Sequence, residues 1–165
     1  MAYLPAWLPP IVPFEDYGGD WDRYLEALYK YFKKDFIDRR PLFRGRRLGL
    51  KKHPLEKGKE ATFWHFISEG SREDDRLPDL RRCERIRWPR PIIENSNETV
   101  IKVWENKRGC DKRILFWLEK QEYLVIVAER RGYILPWTAY LVTENHRKKK
   151  LQKEYETFKK ANAAF

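Results

Sequence analysis

Cysteine is scarce in this sequence, long apolar runs are absent, and acidic residues are outnumbered. Cys83 and Cys110 are the only cysteines. They make no CxxC pair and no metal-ligand spacing with His53, His65 or His146, so neither a disulfide framework nor a zinc site is expected. A reduced, cytoplasmic setting is the simplest expectation for such a chain. No stretch reaches the roughly 18 apolar residues of a membrane-spanning helix. The start, Met1-Ala2-Tyr3-Leu4-Pro5, lacks the basic region and apolar core of a secretory signal. No membrane partner is expected. Walker, Rossmann, nucleophile-elbow and zinc-binding motifs are all missing, which leaves no cofactor and no metal to expect. Carboxylates are scattered: Glu105 and Glu129 stand alone, and no aligned pair resembles a two-metal nuclease.

The shortage of acid has a direct consequence for partners. There are 35 Lys and Arg against 25 Asp and Glu, for a formal net charge of +10. Charged residues make up 36% of the chain, above the usual quarter, while the hydrophobic share of 42% is ordinary for a globular protein. The chain therefore folds around a normal core and carries a cationic surface. Nucleic acid is the commonest polyanion that such a surface meets. At 165 residues a single domain over 1–165 is expected, divided into an arm (1–19), a helical and loop part (20–98), and a sheet with a closing helix (99–160).

Four prolines and then Gly18-Gly19 make residues 1–19 an extended arm. Its Tyr3, Leu4, Trp7, Leu8, Ile11 and Phe14 are too apolar for a free tail, so it should lie on the domain or on a second copy or partner chain. Asp20 offers a cap for a helix whose Trp21, Tyr24, Leu25, Leu28, Tyr29, Phe32 and Phe36 share one face, ending near Asp38. Residues 39–59 hold nine basic residues and one acidic one, Glu56. With Gly45, Gly49, Pro54 and Gly58 they read as a basic loop or exposed hairpin. Residues 61–68 are a short apolar run that fits a helix or a strand equally well. A helix is expected over about 77–87, with Pro78 in its first turn and Trp88-Pro89 ending it.

Residues 99–104, 113–119, 123–129 and 133–142 are rich in Val, Ile, Leu, Tyr, Trp and Phe and are separated by short polar turns. They predict a four-stranded antiparallel meander. Pro136 marks its last strand as an edge or as bulged. Residues 144–160 form a basic helix with Leu151, Tyr155 and Phe158 on one side. The fold class is thus α+β: N-terminal helices packed on an antiparallel meander, a C-terminal basic helix, and one sheet face partly open.

Candidate chemistry gathers at a few places. His65, between Trp64 and Phe66, is of the one residue type that ordinarily exchanges a proton near neutral pH; a core histidine is the other reading. Arg81, Arg82 and Arg85 recur at spacings that would cluster guanidinium forks for phosphate, or form a solvated face paired with Glu84. On the strands, Lys102, Trp104, Arg113, Trp137, Thr138 and Tyr140 fit an RNA surface in which rings stack on bases and cations hold phosphates; Trp104 and Trp137 are equally explicable as core. Thr138, Pro136 and Tyr140 alternate onto one face of the last strand. Lys149 adds to the basic helix.

The stretch Ala61-Thr-Phe-Trp-His65-Phe-Ile-Ser68, then Leu80-Arg-Arg-Cys-Glu-Arg-Ile-Arg-Trp88-Pro89, then Arg131-Gly-Tyr-Ile-Leu-Pro-Trp137-Thr-Ala-Tyr140 and a basic helix, resembles a family of phage- and plasmid-associated RNase-like domains. These belong to the superfold that unites barnase, EndoU, the RNase colicins and RelE-type toxins. The resemblance covers residues 60–157; Pro136 departs from the usual apolar residue there. It implies a metal-independent endoribonuclease or toxin-like domain acting on tRNA or mRNA, with an antitoxin or inhibitor protein as partner. It makes His65 the catalytic group and places Arg82, Arg85 and the Thr138/Tyr140 region around the pocket. Two other classes stay open: an RNA- or DNA-binding module without a base, and an interaction protein of a mobile element with an acidic partner.

Overall fold

The computed structural model of the chain describes residues 4–163; residues 1–3 and 164–165 lie outside it, and Tyr3 of the expected arm with them. The arm lies on the domain. Trp7, Leu8, Phe14 and Tyr17 pack against the core and Val12 is buried. Its backbone is held by Val12 N–H to the Glu84 carbonyl at 2.8 Å, by Trp88 Nε1–H to the Pro9 carbonyl at 2.9 Å, and by the Tyr24 hydroxyl to the Val12 carbonyl at 2.7 Å.

Helix α1 (Trp21–Phe32) starts where Asp20 accepts the Arg23 N–H at 3.2 Å, satisfying one of the helix's orphan donors. It buries Tyr24, Leu25, Leu28 and Phe32, and runs on as a π-helical turn, Lys33–Asp38, that buries Phe36. The basic segment then makes a hairpin of β1 (Leu42–Phe43) and β2 (Arg46–Arg47). Arg44 and Gly45 both take positive φ, 52° and 76°, as a two-residue turn of this hand requires. The ambiguous run becomes helix α2 (Ala61–Ile67), buried along nearly its whole length.

The single helix expected over 77–87 is replaced by three elements. Leu77–Pro78 is a strand, β4, paired with β3 (Ser68–Glu69). Helix α3 (Leu80–Glu84) starts on an Asp79 cap, whose carboxylate accepts the Arg81 N–H at 2.9 Å. Trp88-Pro89 opens helix α4 (Pro89–Glu94) instead of closing the one before. Pro89 sits in its first turn, where its missing N–H would have had no partner anyway.

The meander is as expected: β5 (Ile101–Arg108), β6 (Asp111–Leu118), β7 (Tyr123–Arg130) and β8 (Tyr133–Leu141) pair antiparallel in chain order. A bulge interrupts the last pairing, because Ile126 faces Thr138 while Val127 faces Pro136, leaving Trp137 unmatched. Neighbouring residues of β7 point to opposite faces. Pro136 therefore lies on the face opposite Thr138 and Tyr140, which corrects the simple alternation.

The sheet face expected to be partly open is largely covered. Ile114, Phe116, Leu118, Tyr123, Val125 and Val127 join the core formed with α1, α2 and α4. Leu115, Trp117, Leu124 and Ile126 point the other way and are met by Leu151, Tyr155 and Phe158 of helix α5 (Asn145–Asn162). The α+β class holds, with helices on both faces of the sheet.

Candidate functional site

A helix leaves its last carbonyls without partners, and at the end of α2 three side chains, of Arg76, Arg82 and Thr138, meet the His65 carbonyl. Arg82 donates through Nη1 to the Ser68 carbonyl at 2.7 Å, the His65 carbonyl at 3.4 Å and Thr138 Oγ1 at 3.3 Å. The Thr138 hydroxyl donates to the same His65 carbonyl at 3.3 Å. Arg76 donates to Ser68 Oγ at 3.0 Å and to the Ser68 and Gly70 carbonyls at 2.7 and 3.1 Å. Cations at a helix C-terminus also meet the negative end of its dipole. Arg82 and Thr138 thus meet at the main-chain carbonyl of His65.

Arg82 is used on one edge only. Its Nη2 lies 3.9 Å from Glu69 and its Nε 4.0 Å from Asp79, within ion-pair reach but too far for hydrogen bonds. Its side chain is 12% exposed. Burial pulls its pKa below the ordinary arginine value, with Asp79 and Glu69 opposing. The guanidinium lies over the Tyr140 ring at 5.1 Å. The Nε–Nη2 edge faces a polar cleft of about 290 Å³ lined by Glu69, Asp79, Arg81, Tyr140, Glu144 and Arg147.

His65 itself is 4% exposed. Its ring meets the Trp137 indole edge-on, with centroids 5.2 Å apart. The Arg130 guanidinium and the Lys51 ammonium lie over that indole at 4.9 and 5.4 Å. The bulge therefore directs one aromatic side chain at the imidazole and surrounds it with positive charge.

A second cleft, of about 550 Å³, opens between α5 and the β5–β6 hairpin. Lys107, Arg108, Arg113, Arg147 and Lys150 contribute positive charge there, and Glu154 is the carboxylate. Arg113 donates through Nε to Asn106 Oδ1 at 3.0 Å. Burial, and then the charge of Arg108, hold its pKa below the ordinary arginine value.

The remaining candidates separate. Arg81 lines the first cleft, and Tyr140 lines both. Arg85 does not join Arg82. Helix α3 ends at Glu84, so the helical spacing that would align the two breaks; Arg85 instead donates to the Arg81 carbonyl at 3.0 Å and lies over Trp88 at 5.1 Å. Trp104 is no stacking platform: it is 0% exposed beneath α5, with its Nε1–H given to Glu154 at 2.7 Å. Lys102 is held under the same helix by Glu119 at 3.0 Å and by Gln152. Lys149 is exposed on α5 and lines neither cleft. Glu105 and Glu129 are tied to Arg44, Arg46 and Lys112. Arg76 and Arg147 were not expected at the site. Arg76 precedes a stretch with the pattern of a helix start, and Arg147 is one cation among many on a basic helix.

Burial pushes the Cys83 thiol up to about 12, which removes it as a thiolate nucleophile. Among the described residues, no group of three His, Cys, Asp or Glu is placed to hold a metal ion, and no helix is long and apolar enough to cross a membrane. Comparison of the chain with protein-family models, curated proteins and solved structures finds no match.

Proposed function

We propose that this domain is a metal-independent endoribonuclease of the toxin-like kind. The observation that carries the reading is the meeting of Arg82 and Thr138 at the His65 main-chain carbonyl, beside a cleft that Arg82 lines. In-line cleavage of RNA needs three services. A base takes the proton of the ribose 2′-OH, positive charge stabilises the negative charge that gathers on the phosphoryl oxygens as the 2′ oxygen attacks, and the departing 5′ oxygen receives a proton while a 2′,3′-cyclic phosphate forms. The Nε–Nη2 fork of Arg82 matches two phosphate oxygens. The His65 imidazole is the proton carrier, and the Thr138 hydroxyl fixes the backbone beneath both. Trp137 covers the imidazole, so the ribose reaches it only when that indole is displaced.

A toxin-like nuclease requires an inhibitor in the cell that makes it, and the net charge of +10 favours an acidic one. A second reading, RNA binding without cleavage, draws on the burial of His65 and on the capping role of Arg82. Incubating RNA with the protein in a chelator separates the two. The wild type should cleave, His65→Gln should bind without cleaving, and Arg82→Lys, which keeps the charge and loses the fork, should slow cleavage by about 10²–10³. Intact RNA that is nonetheless bound by the wild type would establish the second reading.

A further inference from the structure

We infer that the RNA is single-stranded and passes from the first cleft over Tyr140 into the cleft under α5, where Arg113 and Lys150 hold the phosphates next to the one at Arg82. The position of the reacting phosphate rests on the ribonuclease reading; the path does not.

The two clefts share Tyr140 and Arg147, so they form one groove with that pair at its saddle. The saddle is built: the Tyr140 ring seats Arg82 at 5.1 Å and Arg147 at 5.4 Å, and its hydroxyl accepts from Arg147 at 3.3 Å. Charge along the groove is uneven. In the first cleft Arg81, Arg82 and Arg147 are matched by Glu69, Asp79 and Glu144. In the second, Glu154 faces a clear excess of cations, and its Oε1 already accepts from Trp104 and Asn106 at 2.7 Å each. Arg113 is half-buried there, with a neutral amide as its hydrogen-bonded partner. A desolvated guanidinium without a bonded carboxylate, next to like charges, is stabilised when an anion arrives.

The apolar back of the second cleft is closed: Leu115, Leu124 and Ile126 are 1–3% exposed, and Leu151 is partly exposed. The groove therefore offers its cationic rim, which tracks one sugar–phosphate strand, whereas an A-form duplex is met across the breadth of its minor groove.

The test uses full-length His65→Gln protein and fluorescence anisotropy across a salt series. The probe is a labelled single strand of about twelve nucleotides, compared with its duplex and with poly-glutamate as competitor. Arg113→Gln/Lys150→Gln should weaken the single strand roughly tenfold and reduce the slope of log affinity against log salt by about 1.4, two phosphate contacts at about 0.7 each. A control with the same loss of charge outside both clefts, Lys120→Gln/Lys149→Gln, should keep the slope. An unchanged slope in the first pair, an equal loss in the control, duplex bound as tightly as the single strand, or RNA displaced equally well by poly-glutamate would each overturn the inference. If the wild type leaves RNA intact while the slope falls as stated, the ribonuclease reading fails and the path stands. If RNA is cut and the slope is unmoved, the path fails alone.

Discussion

On the side of the sheet turned to α1, α2 and α4, aromatic rings from five parts of the chain interlock. Phe32 contacts Phe36, Phe63 and Phe66 at centroid distances of 5.4–6.1 Å, and Phe43 meets Phe116 at 5.1 Å. On the side under α5 the apolar layer is one helix wide. Leu151, Tyr155 and Phe158 are only partly buried against it, and cations flank the gap that remains. The first face is sealed by residues from the arm, β1 and all four helices that precede the sheet. The second is covered by a helix of which half the residues are charged, so the cover is incomplete and a groove survives. One sheet thereby carries the main core on one side and a thinner layer, with a cleft beside it, on the other.

The sharpest way to break this contrast is to truncate one ring on each side. Phe116→Ala should cost about 3–5 kcal/mol, whereas Phe158→Ala should cost nearer 1 kcal/mol, both read from denaturant midpoints. Equal losses would mean that α5 seals its face as firmly as the N-terminal helices seal theirs.

Glu154 is the joint between α5 and the sheet, because it accepts from the buried Trp104 indole. Glu154→Ala leaves that N–H without a partner and should cost about 1–3 kcal/mol. Smaller losses would show that water reaches the indole and that the groove runs deeper than the side chains indicate.

The sealed side holds a titratable group that sharpens the comparison. Burial pushes the Asp35 carboxyl up from 3.8 to about 6, against the pull of Arg90, Arg87 and Lys34. A folded-state value above the unfolded one means that ionisation opposes folding. Stability is full below about pH 4 and falls as pH rises toward about 6, where the folded carboxyl ionises. Asp35→Asn should remove that fall, so the difference in stability between variant and wild type should grow across this window and level off above it. A difference independent of pH would place the carboxyl in water.

The smallest effect should come from the exposed rim. Arg44 reaches Glu105 at 3.2 Å, and Lys112 reaches it at 3.0 Å; burial pulls the carboxyl up, but hydrogen bonds from Lys112 and Arg44 hold it below its usual range. Arg44→Ala should cost under about 1 kcal/mol by thermal or chemical denaturation, since Lys112 remains.

How much of this was legible follows from where periodicity exists. Helix α1 shows itself in aromatic spacing after Asp20, the meander in its β-branched runs and polar turns, and α5 in Leu151, Tyr155 and Phe158. Residues 61–67 are buried on nearly all sides and so carry no period, which is why helix and strand were equal there. The division of 77–94 depends on the pairing of Ser68 with Pro78 and on the Asp79 cap, contacts that local pattern does not contain. The apolar stripe of α5 announces a buried side but not its partner, and so the sequence leaves Trp104 open between surface and core and reads Lys102 as surface. At the site, Arg82 and Thr138 meet at the His65 carbonyl, while Arg85 lies with the Arg81 carbonyl and Trp88, placements that come from tertiary structure. Arg76 and Arg147 are ordinary cations until tertiary structure places them.

The most direct measurement of the central claim is the chemistry of the RNA ends after incubation with the wild-type protein in a chelator. A pool of random-sequence single strands should yield fragments ending in a 2′,3′-cyclic phosphate or its 3′-phosphate hydrolysis product, with 5′-hydroxyls on the partner fragments, and His65→Gln should yield none. Intact RNA, or fragments with 5′-phosphate and 3′-hydroxyl ends, would contradict the account.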